Sequence, residues 1–196
     1  MKTQIAYRPS TKLGVNKSFI AYSLILLFML GVIGCGYTTH SAFVKKYKSV
    51  YVEPFINKVD ITNESYTENK YRIYRPMLET DITRAVINRF LLDGNFKPVK
   101  EDVADLVLKG ELVEFRKDPL RYNQNNDEVT EYRVNLIVNM SLWDKRNNKL
   151  LWEETRFTGD TSYFTTGYQA KTEQEAIEAA LVDLSRRVVD RVVEEW

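Results

Sequence analysis

Apolar positions are spaced in distinct ways along this chain, and each spacing predicts an element. Residues 19–33 form an uncharged, almost wholly apolar run. Ser49-Val50-Tyr51-Val52-Glu53-Pro54-Phe55 concentrates β-branched and aromatic side chains before and around a proline, which predicts a strand. A polar, Tyr-rich connection follows over residues 57–75. Pro76 then stands where a first-turn helix proline belongs. Leu78, Ile82, Ala85, Val86, Arg89 and Phe90 recur at three- and four-residue intervals, the stripe of an amphipathic helix, and Asp93-Gly94-Asn95 supplies the stop.

Beyond that helix the period changes from helical to alternating. A short Phe96-Lys97-Pro98-Val99 precedes a β-rich stretch over residues 104–115. Residues 118–129 read as a polar loop. From Tyr132 onward Val134, Leu136, Val138, Met140 and Leu142 share one face, while Arg133, Asn135, Asn139 and Ser141 share the other. The polar turn Asp144-Lys145-Arg146-Asn147-Asn148 returns the chain as a hairpin partner over residues 149–159. Thr172, with Glu175 three residues on, has the pattern of a capping box. Ala176, Ala179, Ala180, Leu184, Val188 and Val192 form the apolar stripe of the closing helix, with Arg186, Arg187, Asp190 and Arg191 on its polar side.

The order strand, helix, several strands, helix predicts an α+β two-layer sandwich. Two helices should pack on one face of a mostly antiparallel sheet of about four strands, because each amphipathic stripe needs a surface to cover. Residues 49–196 are expected to form that single domain.

The first residues change the picture. Residues 1–18 carry Lys2, Arg8, Lys12 and Lys17 and no acid, and the apolar run follows them directly. A basic flank before about 15 apolar residues is the layout of a secretory signal rather than a comfortable membrane span. The run ends in Val32-Ile33-Gly34-Cys35, which resembles the lipobox of bacterial lipoproteins. Cys35 is the sole cysteine, so no intramolecular disulfide competes for its thiol. The expectation is a signal peptide over residues 1–34, cleavage before Cys35, and a lipidated tether over residues 35–48. Diacylglycerol on the sulfur and an N-acyl (palmitate) chain then hold the protein firmly, since one chain alone binds marginally. Gly36, in place of the Asp that retains lipoproteins at the inner membrane, points to the periplasmic face of the outer membrane.

Removal of residues 1–34 takes away four of the 28 Lys+Arg and none of the 27 Asp+Glu, so the formal charge goes from +1 to −3. Nothing in that balance suits nucleic acid. Catalytic signals are equally thin. His40 is the single histidine and sits in the tether; Cys35 is consumed by lipidation; no glycine-rich phosphate loop appears among 8 Gly. Pairs such as Glu111 and Glu114, or Glu153 and Glu154, read as solvent-face strand residues rather than an acid–base pair. The expectation is a non-enzyme without metal or cofactor apart from the covalent lipid. Tyrosines stand out instead: Tyr66, Tyr71 and Tyr74, then Tyr122 and Tyr132, then Tyr163, Phe164 and Tyr168 fall in or beside expected loops, as contact residues do. Arg116, Lys117, Arg121 and Arg133 lie close in sequence and are the candidates for meeting phosphates of an anionic lipid.

In order along the chain, several of these pieces resemble the LptE-type lipoproteins of lipopolysaccharide assembly. They are Gly34-Cys35-Gly36-Tyr37, Ser49 to Asn57, the helix over 78–90, Ala104-Asp105-Leu106-Val107-Leu108-Lys109-Gly110, Glu131-Tyr132-Arg133-Val134, Leu142-Trp143-Asp144 with Leu151-Trp152-Glu153, and the closing Ala-rich helix. The resemblance implies the two-layer sandwich again. It also implies a plug and assembly partner for an LptD-type outer-membrane β-barrel that helps deliver lipopolysaccharide to the outer surface. Only Cys35 carries over residue by residue. The opening strand, helix and Ala104 to Gly110 also look like accessory lipoproteins of curli-secretion type, which would make the chain an oligomeric pore or scaffold.

Overall fold

In the computed structural model the described residues are 46–59, 75–125 and 128–194; the expected signal peptide and tether start, with Cys35 and His40, and Tyr66, Tyr71 and Tyr74 lie outside them. Strands β1 (Ser49–Val52) and β2 (Ile56–Asn57) come first, followed by helix α1 (Leu78–Asp93) and strand β3 (Lys97–Pro98). A 3-10 turn (Glu101–Val103) leads into three long strands, β4 (Leu106–Tyr122), β5 (Val129–Asp144) and β6 (Lys149–Phe164), and helix α2 (Glu173–Val193) closes the fold.

The sheet runs β3-β1-β4-β5-β6, with β2 also paired to β4. The β4–β5–β6 meander is antiparallel, as the alternation predicts. The other part is parallel: β1 lies between β3 and β4 and runs with both, and β2 continues along the same edge of β4. Among the described residues six strands thus stand where about four were expected, two of them only two residues long. Pro54 breaks the expected first strand, so Phe55 leaves the ladder and turns into the core.

Both helices cover one face. Leu78, Ile82, Val86 and Phe90, one residue per turn, bury α1. They meet Leu106, Leu108, Leu112 and Phe115 of β4 and Val134, Leu136, Val138, Met140 and Leu142 of β5 in one apolar cluster. α2 contributes Ala180, Leu184 and Val188 to the same cluster. Small residues set the spacing. A Cβ on Gly159 would stand 2.3 Å from Leu184 Cβ and 2.5 Å from its Cα, so α2 rests directly on the β6 backbone. A Cβ on Gly110 would meet the Phe55 ring at 2.1 Å, so that ring lies flat on β4.

The helix ends follow the predicted chemistry. Gly94, at φ 78, caps α1 with its amide donating to the Phe90 carbonyl. Pro76 lies ahead of the helix rather than in its first turn, because Met77 takes the N-cap position in a left-handed conformation (φ 61). At α2 the capping box forms: Glu175 N donates to Thr172 Oγ1, and Thr172 N donates to the Glu175 carboxylate at 2.7 Å.

Two expected loops are strand. β4 runs on to Tyr122 and β5 begins at Val129, so the connection between them shrinks to residues 123–128. β6 likewise reaches Phe164, and Tyr163 on it is only 5% exposed. The reason is the bulges. Register shifts between Leu112 and Glu114, between Pro119 and Arg121, and opposite Val138 and Met140 reset the alternation. Pro119 is tolerated because β4 has β5 on one side there, while β1 and β2 stop pairing at Leu112.

Candidate functional site

The meander projects beyond the short parallel strands, and its far end carries the aromatic and basic residues picked out in the sequence. Tyr132 of β5 and Tyr163 of β6 are register partners and stack with ring centroids 5.9 Å apart. Lys117 of β4 lies with its ammonium 4.9 Å from the centre of the Tyr132 ring and donates to the Glu173 carboxylate at 2.5 Å. Burial works against a charged lysine, but the Glu173 bond and charge outweigh it and hold the Lys117 pKa above its ordinary value. Burial in turn pushes Tyr163 up, against the pull of Lys117. This cluster lies on the helix side, under the start of α2.

Arg116, Arg121 and Arg133 are on the opposite face. Alternation places Arg116 beside Asn135 and Arg133 beside Asp118, while the Pro119–Arg121 bulge turns Arg121 toward Glu131. Each has a carboxylate within reach, and Arg133 shares its own, Asp160, with Arg187. Arg116 donates to Asp118 at 2.8 Å, Arg121 lies 3.6 Å from Glu131, and Arg133 lies 3.8 Å from Asp160. Arg121 also stands over the Phe164 ring at 5.7 Å. The four predicted lipid-contact residues are therefore all strand residues. They divide three to one between the two sheet faces, and each is already compensated by a carboxylate. At the rim, Leu120 and Tyr122 are partly exposed and Tyr168 is fully exposed. A shallow concavity lies beside them, lined by Tyr163, Phe164, Tyr168 and Lys171.

Of the carboxylates weighed as acid–base pairs, Glu154 pairs with Arg191 at 2.9 Å, and Glu114 is buried rather than on a solvent face. Glu114, 5% exposed, accepts from Arg156 at 2.9 Å and lies 3.7 Å from Arg116. Arg156 takes a left-handed conformation (φ 53) at a bulge, where its amide donates to Asn139 Oδ1. Among the described residues no group of three His, Cys, Asp or Glu side chains could hold a metal ion.

A second polar cluster escaped the sequence reading. At the other end of the sheet, Asp144 is 2% exposed and accepts from Tyr47 Oη at 2.7 Å and from the Asn147 side chain at 2.7 Å. Beside it, Asp105 accepts from Lys48 N at 2.9 Å and Ser49 N at 3.2 Å, and pairs with Arg146. Burial opposes ionisation of both, yet these hydrogen bonds and charges hold both carboxyls below the usual range. Together they fasten the first described residues to the β5–β6 turn. The local signal was weak: an Asp before a strand and an Asp before a turn are ordinary solvent-side residues in most sequences.

No curated protein matches the sequence. Among solved structures, the chain is similar to the PelC dodecamer from Paraburkholderia phytofirmans (14% identity, 77% of this chain and 91% of that one, TM-score 0.45). It is similar as well to the rare lipoprotein B from Shewanella oneidensis (16% identity, 74% and 90%, TM-score 0.40). A third is lipoprotein GNA1162 from Neisseria meningitidis (13% identity, 74% and 97%, TM-score 0.39). At these scores the likenesses carry no functional weight, and the assignment rests on sequence. The LptE profile, described as lipopolysaccharide-assembly, matches residues 47–194, which takes in every strand and both helices. The chain belongs to the LptE family of lipopolysaccharide-assembly proteins.

Proposed function

We propose that this chain is a non-enzymatic outer-membrane lipoprotein, held through lipid on Cys35, that plugs and helps assemble an LptD-type β-barrel and assists lipopolysaccharide delivery through it. The observation that carries the reading is the family match across the whole described fold. The far end of the meander suits a barrel wall: Tyr122 and Tyr168 offer large contact area with polar tips, and Leu120 adds exposed apolar surface beside them. The cations there suit a role in shaping that contact. With Glu173, Glu131 and Asp160 already beside them, Lys117, Arg121 and Arg133 would have to exchange partners before meeting a lipopolysaccharide phosphate.

The test is affinity capture of the lipidated protein from detergent-solubilised outer membranes, with identification of what co-elutes. A large β-barrel in equal amount, retained through washing and lost on Tyr168→Ala with Leu120→Asp, supports the plug. Recovery of further copies of the chain alone would refute it and favour an oligomeric secretion accessory.

A further inference from the structure

The end of the sheet opposite the aromatic tip gathers exposed lysines, and three of them, Lys97, Lys100 and Lys149, have no carboxylate within ion-pair reach among the described residues. A row of backbone partners crosses the sheet there. Lys97 stands beside Ser49, Val50 beside Leu106, Leu106 beside Asp144, and Asp144 beside Lys149. At strand spacings of about 4.8 Å the row is about 19 Å wide. Lys46, Lys48, Lys97, Lys100 and Lys149 are exposed along its rim, and Arg146 is exposed in the turn between β5 and β6.

Charge compensation distinguishes this end from the other. Lys97, Lys100 and Lys149 have no carboxylate oxygen within 4.0 Å among the described residues, whereas each of the four cations at the aromatic tip has one. Two of the local acids, Asp105 and Asp144, are buried and engaged in hydrogen bonds, which leaves Glu101 and Asp102 as the exposed ones. An exposed ammonium on a flexible stem is a point charge suited to a phosphate.

Chain direction identifies the occupant. The described fold begins here, at Lys46, and the Tyr47 and Asp105 bonds fix that beginning to the rim. Cys35 precedes Lys46 by 11 residues, which span at most about 40 Å fully extended. We propose that this lysine-rimmed end of the sheet docks on an anionic phospholipid leaflet, seating the domain on the membrane that holds its lipidated Cys35. The proposal rests on the lipoprotein reading and needs no barrel. Each lysine held near an anionic surface raises partitioning about fivefold, and the effect fades within a Debye length, so it weakens with salt.

The experiment places the mature lipidated protein on neutral phosphatidylcholine vesicles and on vesicles enriched in phosphatidylglycerol, and follows amide hydrogen exchange. Intact mass confirms the lipid on Cys35 first. The expected result is at least about fivefold slower exchange in residues 97–100 and 145–150 on the anionic vesicles, reversed by high salt. The triple variant Lys97→Gln, Lys100→Gln, Lys149→Gln should lose that protection while keeping the wild-type unfolding midpoint. Equal exchange on both vesicles, or protection at residues 117–135 instead, would overturn the proposal and leave the barrel reading intact. A mass without lipid would overturn the lipoprotein reading and this proposal together.

Discussion

Replacing Gly159 with alanine tests how closely α2 is seated on β6. The added methyl carbon would stand 2.3 Å from Leu184 Cβ, 2.5 Å from its Cα and 2.7 Å from its amide nitrogen. Ordinary carbon–carbon contact is about 3.5–4.0 Å, so the helix and strand must separate by more than an ångström. No rotamer change relieves this, because the atoms in the way are backbone and Cβ. Separation also strips contacts from Ala180, Leu184 and Val188, which are fully buried against the sheet. Overpacking of this kind costs about 1–3 kcal/mol, and a rigid backbone obstacle puts Gly159→Ala at the upper end, near 3 kcal/mol. Urea unfolding followed by circular dichroism should show the midpoint falling with the slope unchanged. Adding Leu184→Ala should give no rescue, since the obstructing atoms remain. Gly110→Ala is the contrasting case: its obstacle is the Phe55 ring, so Phe55→Leu should recover part of the loss. A Gly159→Ala variant within about 0.5 kcal/mol of wild type would refute the close seating of α2.

Two further outcomes follow from the buried charges. The carboxyls of Asp105 and Asp144 lie below their ordinary values in the folded chain, so their stabilisation is present above the unfolded pKa of about 3.9 and is lost as pH falls through the folded values. Stability measured from neutral pH downward should therefore drop below about pH 4. Tyr47→Phe should cost about 1–2 kcal/mol at neutral pH and move the acid loss to higher pH; an unchanged acid limb would show that the Tyr47–Asp144 bond does not set it. Arg156→Ala removes one charged partner of the buried Glu114 and should cost about 1–2 kcal/mol. Combining it with Glu114→Gln should restore most of that loss, and simple additivity would contradict the pairing.

Much of the fold was legible because burial of one face writes a period into the sequence. Leu78, Ile82, Val86 and Phe90 repeat once per turn, and Val134 to Leu142 alternate with Ile137 as the one apolar residue on the other face. Gly94 and the Thr172–Glu175 box are local signals, and both act locally. What failed was continuity across bulges. Once the alternation slips at Glu114 and Arg121, the ends of β4 and β6 look like polar loops. The site reading failed for a plainer reason: neighbours in sequence such as Arg116 and Lys117 point to opposite faces of one strand. Contacts far apart in the chain left no trace at all. Tyr47 and Asp144 are 97 positions apart, and nothing around either residue announces the other. The parallel pairing of β1 was hidden for the same reason, since its partners come about 50 residues later.

That placement of β1 has a kinetic consequence. Its two neighbours, β3 and β4, both follow it in the chain, so the first strand of the described fold is the one that cannot pair until the middle of the chain has arrived. The β4–β5–β6 meander, joined by short turns, pays little loop-closure entropy and is the natural nucleus. Ser49–Val52 then waits as an open strand, short and flanked by Lys48 and Glu53, whose charges discourage pairing with another molecule during the delay. Insertion of β1 becomes the closing step of folding, and it completes the lysine-bearing row in the same event.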